Sequence, residues 1–196
     1  MAISYQKKFI FIKINKTAGT SIQSCLKELV DDLQQTGHRI LKDYDVNDRS
    51  FFKFTFVRNP WDKMVSFYHY HRDRGFDLLP GSKQPSFKEF ITTDMHKIEF
   101  TKPKGKSSRN FRMSNQLDWI TDDNNKVAMD FIGRFETLQS DFNFICDSLQ
   151  IPKKKLPHRV KSEHQHYTKY YDAQTIEIIR DRFQKDIDYF NYTFGE

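Results

Sequence analysis

Apolar and polar positions along the chain switch between two periods, and each switch marks a structural element. Residues 8 to 14 (Lys-Phe-Ile-Phe-Ile-Lys-Ile) are β-branched and aromatic, which predicts a buried strand running into a polar loop with one glycine. From Thr20 onward Ile22, Cys25, Leu26, Leu29 and Val30 recur at i, i+3, i+4, i+7 and i+8, one face of an α-helix whose cap is expected at Thr20 or Ser21. Phe51 to Val57 again has buried-strand character; Arg58-Asn59-Pro60 turns the chain, and Pro60 opens a helix with Trp61, Met64, Val65 and Tyr68 on one stripe. Strand, turn and helix therefore follow one another twice, which is what a parallel sheet flanked by helices requires.

Between Arg74 and Arg112 the pattern loosens into Pro80-Gly81-Ser82, a short helix near Phe87 to Met95, and the basic stretch from Lys102. This segment is expected to be a mobile lid or insert. A third strand is predicted at Ala128 to Phe135, then a helix with Leu138, Phe142, Ile145, Cys146 and Leu149 inward. A last helix from about Ala173 places Ile176, Ile179, Phe183, Ile187 and Phe190 on its buried face. No internal repeat and no low-complexity tract interrupts this order.

Composition adds bounds. A chain of 196 residues is too short for two full-sized domains, so one domain is expected. Nineteen phenylalanines show that the mean hydropathy of -0.76 reflects a charged surface over a real core, not disorder. A net charge of +6 favours an anionic partner without naming it. Cys25 and Cys146 fall on helix stripes and read as small buried hydrophobes of a reducing compartment. The N-terminal apolar run is too short for a membrane span and unlike a signal peptide, so no membrane span and a cytoplasmic location are expected.

The loop Asn15-Lys16-Thr17-Ala18-Gly19-Thr20-Ser21 carries the first candidate chemistry. A strand feeding a helix through a short loop offers unpaired N–H groups and the positive end of the helix dipole to an anion. Lys16 adds a charge, Gly19 permits close backbone approach, and Thr17, Thr20 and Ser21 supply hydroxyls. Alone, the same residues also describe an ordinary capped helix beside a surface lysine. The loop is not a Walker A sequence, because Lys16 precedes the glycine, which disfavours ATP hydrolysis.

Asn15 to Ser21 resembles the 5′-phosphosulfate loop of the PAPS-dependent sulfotransferases (PAPS is 3′-phosphoadenosine 5′-phosphosulfate), with Asn15 where proline is usual. The segment from Phe54 to Ser66 resembles the 3′-phosphate motif of the same family, with Arg58 ending a strand and Ser66 eight residues later. A guanidinium forks onto phosphate oxygens and a hydroxyl completes the cradle. Ile132-Gly133-Arg134-Phe135-Glu136 and the ending Phe190 to Phe194 extend the likeness, as in small bacterial members of the sulfotransferase family 2 group. The resemblance implies a P-loop-like three-layer α/β domain with a central parallel sheet flanked by helices. It further implies PAPS as donor, PAP as product, no metal, and transfer of a sulfuryl group to a hydroxyl of a carbohydrate or small-molecule acceptor.

Within that reading Lys16 stabilises the leaving phosphate oxygen, and a histidine serves as general base. His38 is the first choice, since it lies between the two donor motifs and its Gly-His pair resembles the base-bearing segment of heparan 2-O-sulfotransferases. His69 and His71 are weaker acceptor-side candidates; on a helix they project about 200° apart, so at most one faces a cleft. Lys161 and Ser162 are candidates for a loop closing over the donor. The His-x-His pairs lack a cysteine pair or carboxylate set at ligand spacing, so no metal is expected. Competing readings are a P-loop-type kinase, which needs ATP and Mg²⁺, and a non-catalytic anion-binding module. Nucleic-acid binding is disfavoured because no RNP-like or basic-helix signature occurs.

Overall fold

A computed structural model describes residues 1–43, 50–75, 84–93, 114–157 and 164–196. They fall into two compact units: Met1–Arg58 with Gln116–Lys161, and Asn59–Asn115 with Ser162–Glu196. The first unit is built on the apolar runs read as strands, β2 (Phe9–Ile12), β4 (Phe52–Val57) and β5 (Phe131–Arg134). β2 pairs in parallel with β4, and β4 in parallel with β5.

Two further strands, β1 (Ala2–Ser4) and β3 (Gln34–Gln35), extend the sheet antiparallel beyond β2, giving the order β3-β1-β2-β4-β5. Both escape a periodicity reading because so few residues cannot display a period. The architecture is thus mixed α/β with a mostly parallel central sheet, the parallel sheet expected from the sequence being extended at this edge by two antiparallel strands. Asp32 secures the β1–β2 turn, its carboxylate accepting the N–H groups of Tyr5 at 2.8 Å and Gln6 at 2.9 Å.

Helices α1 (Gly19–Leu29) and α4 (Leu138–Ser148) supply the apolar stripes that the sequence predicts. Ile22, Cys25 and Leu26 join Phe142, Ile145 and Cys146 in one core with Phe9, Phe11, Phe54 and Phe56 of the sheet. Phe11 and Phe54 stack at 5.1 Å, and each such buried ring contributes about 1.5–3 kcal/mol through area removed from water. Burial pushes the Cys146 thiol up to about 11 and the Cys25 thiol upward, as befits small hydrophobes. β5 approaches β4 closely because Gly133 lacks a Cβ, which would stand 2.5 Å from the Phe56 ring.

The second unit holds α2 (Pro60–Arg72), α3 (Phe87–Thr92), a 3-10 turn at Tyr167–Tyr170, α5 (Ala173–Arg182) and α6 (Gln184–Phe190). Trp61, Met64, Val65 and Tyr68 are buried as their spacing predicts. The Trp61 indole N–H donates to the Ile176 carbonyl, and the Tyr171 hydroxyl donates to the Trp61 carbonyl.

The single C-terminal helix expected from Ala173 is instead two, turning at Phe183 (φ -111°, ψ 25°). Hydrogen bonds from Phe183 N to Ile179 O and from Ile187 N to Phe183 O carry the i to i−4 pattern through the bend, so the apolar period continues across it. Of the insert expected at 74–112, the structure describes only residues 74, 75 and 84–93. The basic stretch 102–112 lies outside the described residues. Among those described, no helix is long and apolar enough to cross a membrane.

Candidate anion-binding active site

β2, β4 and β5 run in parallel, so their carboxyl ends share one edge of the sheet, the edge where α/β folds place ligands. From β2 the chain passes through Lys13 to Ala18 into α1. The cap expected at Thr20 or Ser21 is corrected: α1 starts at Gly19, and Ala18 stands at the N-cap in the left-handed region (φ 61°, ψ 14°) with no side-chain cap. Ser21 N and Ile22 N both donate to the Ala18 carbonyl. The N–H groups of Gly19 and Thr20 donate to no acceptor among the described residues.

A left-handed residue followed by a helical one turns successive N–H groups toward one point, an anion-binding concavity. Lys16 is also left-handed, at φ 64°. No acidic residue occupies the first turn of α1, so neither a carboxylate nor a cap answers the positive end of its dipole. Thr17 is fully buried and its hydroxyl donates to the Ile14 carbonyl at 3.1 Å, so it can offer an anion its backbone N–H rather than its hydroxyl. Thr20 is exposed and Ser21 buried. The place where a Gly19 Cβ would stand is filled by the stem of Lys13.

Arg58 follows the last residue of β4, and its guanidinium reaches the same loop. Nη1 donates to the Lys16 carbonyl at 3.2 Å, and the guanidinium lies 3.8 Å over the Phe135 ring just past β5. Its backbone is clamped by Gln116, whose amide accepts from Arg58 N and donates to Arg58 O, both at 2.9 Å. Gln116 is wholly buried; a single glutamine outside any motif gives no sequence signal for this role. Phe135 lies in a segment that the sequence picks out, but its stacking role needs the strand register.

His38 is exposed, and its Nδ1 lies 3.0 Å from the Lys13 carbonyl. A carbonyl only accepts, so Nδ1 carries the proton and Nε2 is the basic nitrogen of the neutral ring. Trp119 meets this ring edge to face at 6.0 Å. The first unit thus brings the Lys16 loop, Arg58 and His38 to the strand ends through contacts of its own.

Ser66 lies on α2 in the second unit, buried. His69 and His71, on the same helix, are buried too. His71 stacks on Phe67 at 3.9 Å and donates from Nδ1 to the Phe67 carbonyl. His69 packs against His164 and Tyr170, each at 5.0 Å, and burial, then Arg72 and His164, hold its pKa down at about 4. Lys161 and Ser162 lie outside the described residues.

A profile described as the sulfotransferase family matches residues 1–193. An uncharacterised protein of Archaeoglobus fulgidus is 30% identical over 108 residues, covering 52% of this chain and 69% of that one. No solved structure matches.

Proposed function

The chain belongs to the sulfotransferase family, and from that premise we propose that it transfers a sulfuryl group from PAPS to a hydroxyl of a carbohydrate or small-molecule acceptor. The observation that carries this reading is the start of α1. It has open N–H groups, Lys16 beside it, no acidic residue in its first turn, and Arg58 bonded to the Lys16 carbonyl. Such a site suits a dianionic group far better than a neutral one. When bound, PAPS would supply an activated sulfuryl group whose departure leaves charge on the 5′-phosphate.

The chain's own residues divide the work. The backbone from Thr17 to Ser21 holds the phosphosulfate and Lys16 neutralises charge on the leaving oxygen, a role worth most where water is excluded. Arg58, with Ser66, binds the 3′-phosphate that separates this donor from ATP. His38 takes the acceptor's proton at Nε2, the nitrogen left basic by the bond from Nδ1 to the Lys13 carbonyl. Lys161 and Ser162, outside the described residues, are further donor-side candidates. No metal takes part, and the fold is of the P-loop-like kind in a single domain, soluble in the cytoplasm.

Calorimetric titration with PAP, beside ATP with Mg²⁺, tests the reading. The expected result is saturable PAP binding that weakens in Arg58→Ala, and PAP release from PAPS when hydroxylated acceptors are pooled in. Binding of ATP with Mg²⁺ and none of PAP would sink it and favour a kinase.

A further inference from the structure

Three features of the β2–α1 loop do not follow from anion binding alone. Its left-handed positions, at Lys16 (φ 64°) and Ala18 (φ 61°), are occupied by residues with a Cβ, and its only glycine, Gly19, is not among the positive-φ residues. Backbone freedom is therefore not why position 19 is glycine. Nor does the space beside it lie open to a ligand. An ideal Cβ on Gly19 would stand 2.5 Å from Lys13 Cγ, 3.1 Å from Cε and 3.2 Å from Cδ, so the whole lysine stem runs across that point.

Lys13 itself is held at both ends. Its carbonyl accepts from Nδ1 of His38, and its Nζ donates to Gln23 Oε1 at 2.8 Å. Gln23 is buried and donates in turn from Nε2 to the Met1 carbonyl, just before β1, at 2.9 Å. Burial holds the Lys13 ammonium below the usual lysine range, which agrees with a side chain packed into the structure rather than waving in solvent.

We propose that Lys13 is the positioning residue of this loop, and that position 19 is glycine to seat the Lys13 stem rather than to admit the ligand. The stem, anchored on Gln23, fixes where the backbone enters α1 and so where the open N–H groups of Gly19 and Thr20 point. The same residue's carbonyl sets the tautomer of His38, so one residue just past β2 orients both the anion loop and the proposed base. This rests on the reading of the loop as the donor's anion site.

A double-mutant cycle decides it, with thermal melting of the ligand-free protein and the PAP dissociation constant as separate readouts. Gly19→Ala lowers the melting temperature, although alanine for glycine in a helix ordinarily raises it, and weakens PAP by about tenfold or more. Lys13→Ala melts near the wild type but binds PAP about three- to tenfold more weakly, because the N–H groups lose their fixed direction. In the double variant melting recovers to the Lys13→Ala value and PAP affinity to within about twofold of it. Gln23→Leu, which removes the anchor and leaves the Lys13 charge in place, weakens PAP about as much as Lys13→Ala does.

Additive losses in the double variant would overturn the proposal. So would a Gly19→Ala protein of unchanged melting that no longer binds PAP, since the ligand itself would then need the space. PAP affinity unchanged in Gln23→Leu beside a loss in Lys13→Ala would show the charge acting directly and end the positioning role. If the wild type ignores PAP the donor reading fails, while melting temperatures still decide whether Lys13 is what excludes a side chain at position 19.

Discussion

The chain makes the same passage, from a parallel strand through a turn into a helix, at β2–α1 and at β4–α2, and the two helix starts are finished in opposite ways. At α2 the Asn59 side chain accepts the Trp61 N–H at 3.1 Å, Pro60 removes a donor at the first position, and Asp62 sits in the first turn. The chain itself answers that helix start with a cap, a proline and an acidic residue. At α1 Ala18 offers no cap, no acidic residue stands in the first turn, and Lys16 adds positive charge where the dipole is already positive. Lys16 and Ala18 both hold positive φ with a Cβ, which makes the conformation costlier still. The difference shows which junction is built for its own stability and which is built for something absent from the chain.

The largest expected effect breaks the comparison at its functional side. Lys16→Ala should lower sulfuryl transfer by about 10²–10³-fold, the scale of removing one donor from a charge-stabilising site. The ligand-free protein should melt at or above the wild-type temperature, because a cation has been removed from the positive end of α1. A clear fall in melting would mean that Lys16 is structural and the start of α1 is not waiting for an anion.

Next in size is the mirror experiment at α2. Asn59→Ala should cost about 1–2 kcal/mol through the lost cap, seen as a lower melting temperature. The upper end is expected because Asn59 Nδ2 also donates to the Thr193 carbonyl at 2.9 Å. PAP affinity should stay within about twofold at temperatures where the protein is folded. Together the two variants should move stability and function in opposite directions.

A third variant relieves α1 without touching its charge. Ala18→Gly removes the Cβ from a left-handed position and should raise stability by about 1 kcal/mol. For a chain of this size that is a rise of about 2–4 °C in melting. No rise would mean that the φ of 61° at Ala18 carries no strain.

The contrast between the junctions was only half visible in the sequence. Hydrophobic spacing located β2, β4, α1, α2 and α4, since their buried faces span several periods. It overlooked β1 and β3, whose pairing is decided by neighbours in space. Residue type nominated Lys16 and Arg58, but the cap was expected at Thr20 or Ser21 because hydroxyl side chains are the usual cap formers, and left-handed Ala18 leaves no trace in residue type. The clamp of Gln116 on Arg58 joins residues far apart in sequence, and the seat of Lys13 over Gly19 depends on how β2 delivers its next side chain onto α1. Local chemistry was readable; what holds that chemistry in place was not.

The smallest effect sharpens what an unanswered polar group means. His69 on α2 is 3% exposed, and neither ring nitrogen has a hydrogen-bond partner among the described residues. It can meet burial by staying neutral, and burial first, then Arg72 and His164, hold its pKa near 4 against the usual 6.5. The folded pKa is the lower one, so the contribution of His69 is fully present above about 6.5. It is lost as the pH falls from there toward 4, because the unfolded chain then binds a proton that the folded chain refuses. Melting of the wild type should therefore drop relative to His69→Phe by a few degrees across that window and run parallel to it above pH 7. A constant offset between the two curves would mean that His69 titrates alike in both states. The buried group expresses its missing partner as pH-dependent stability, whereas the open N–H groups of Gly19 and Thr20 at the start of α1 do not titrate and are answered by an anion.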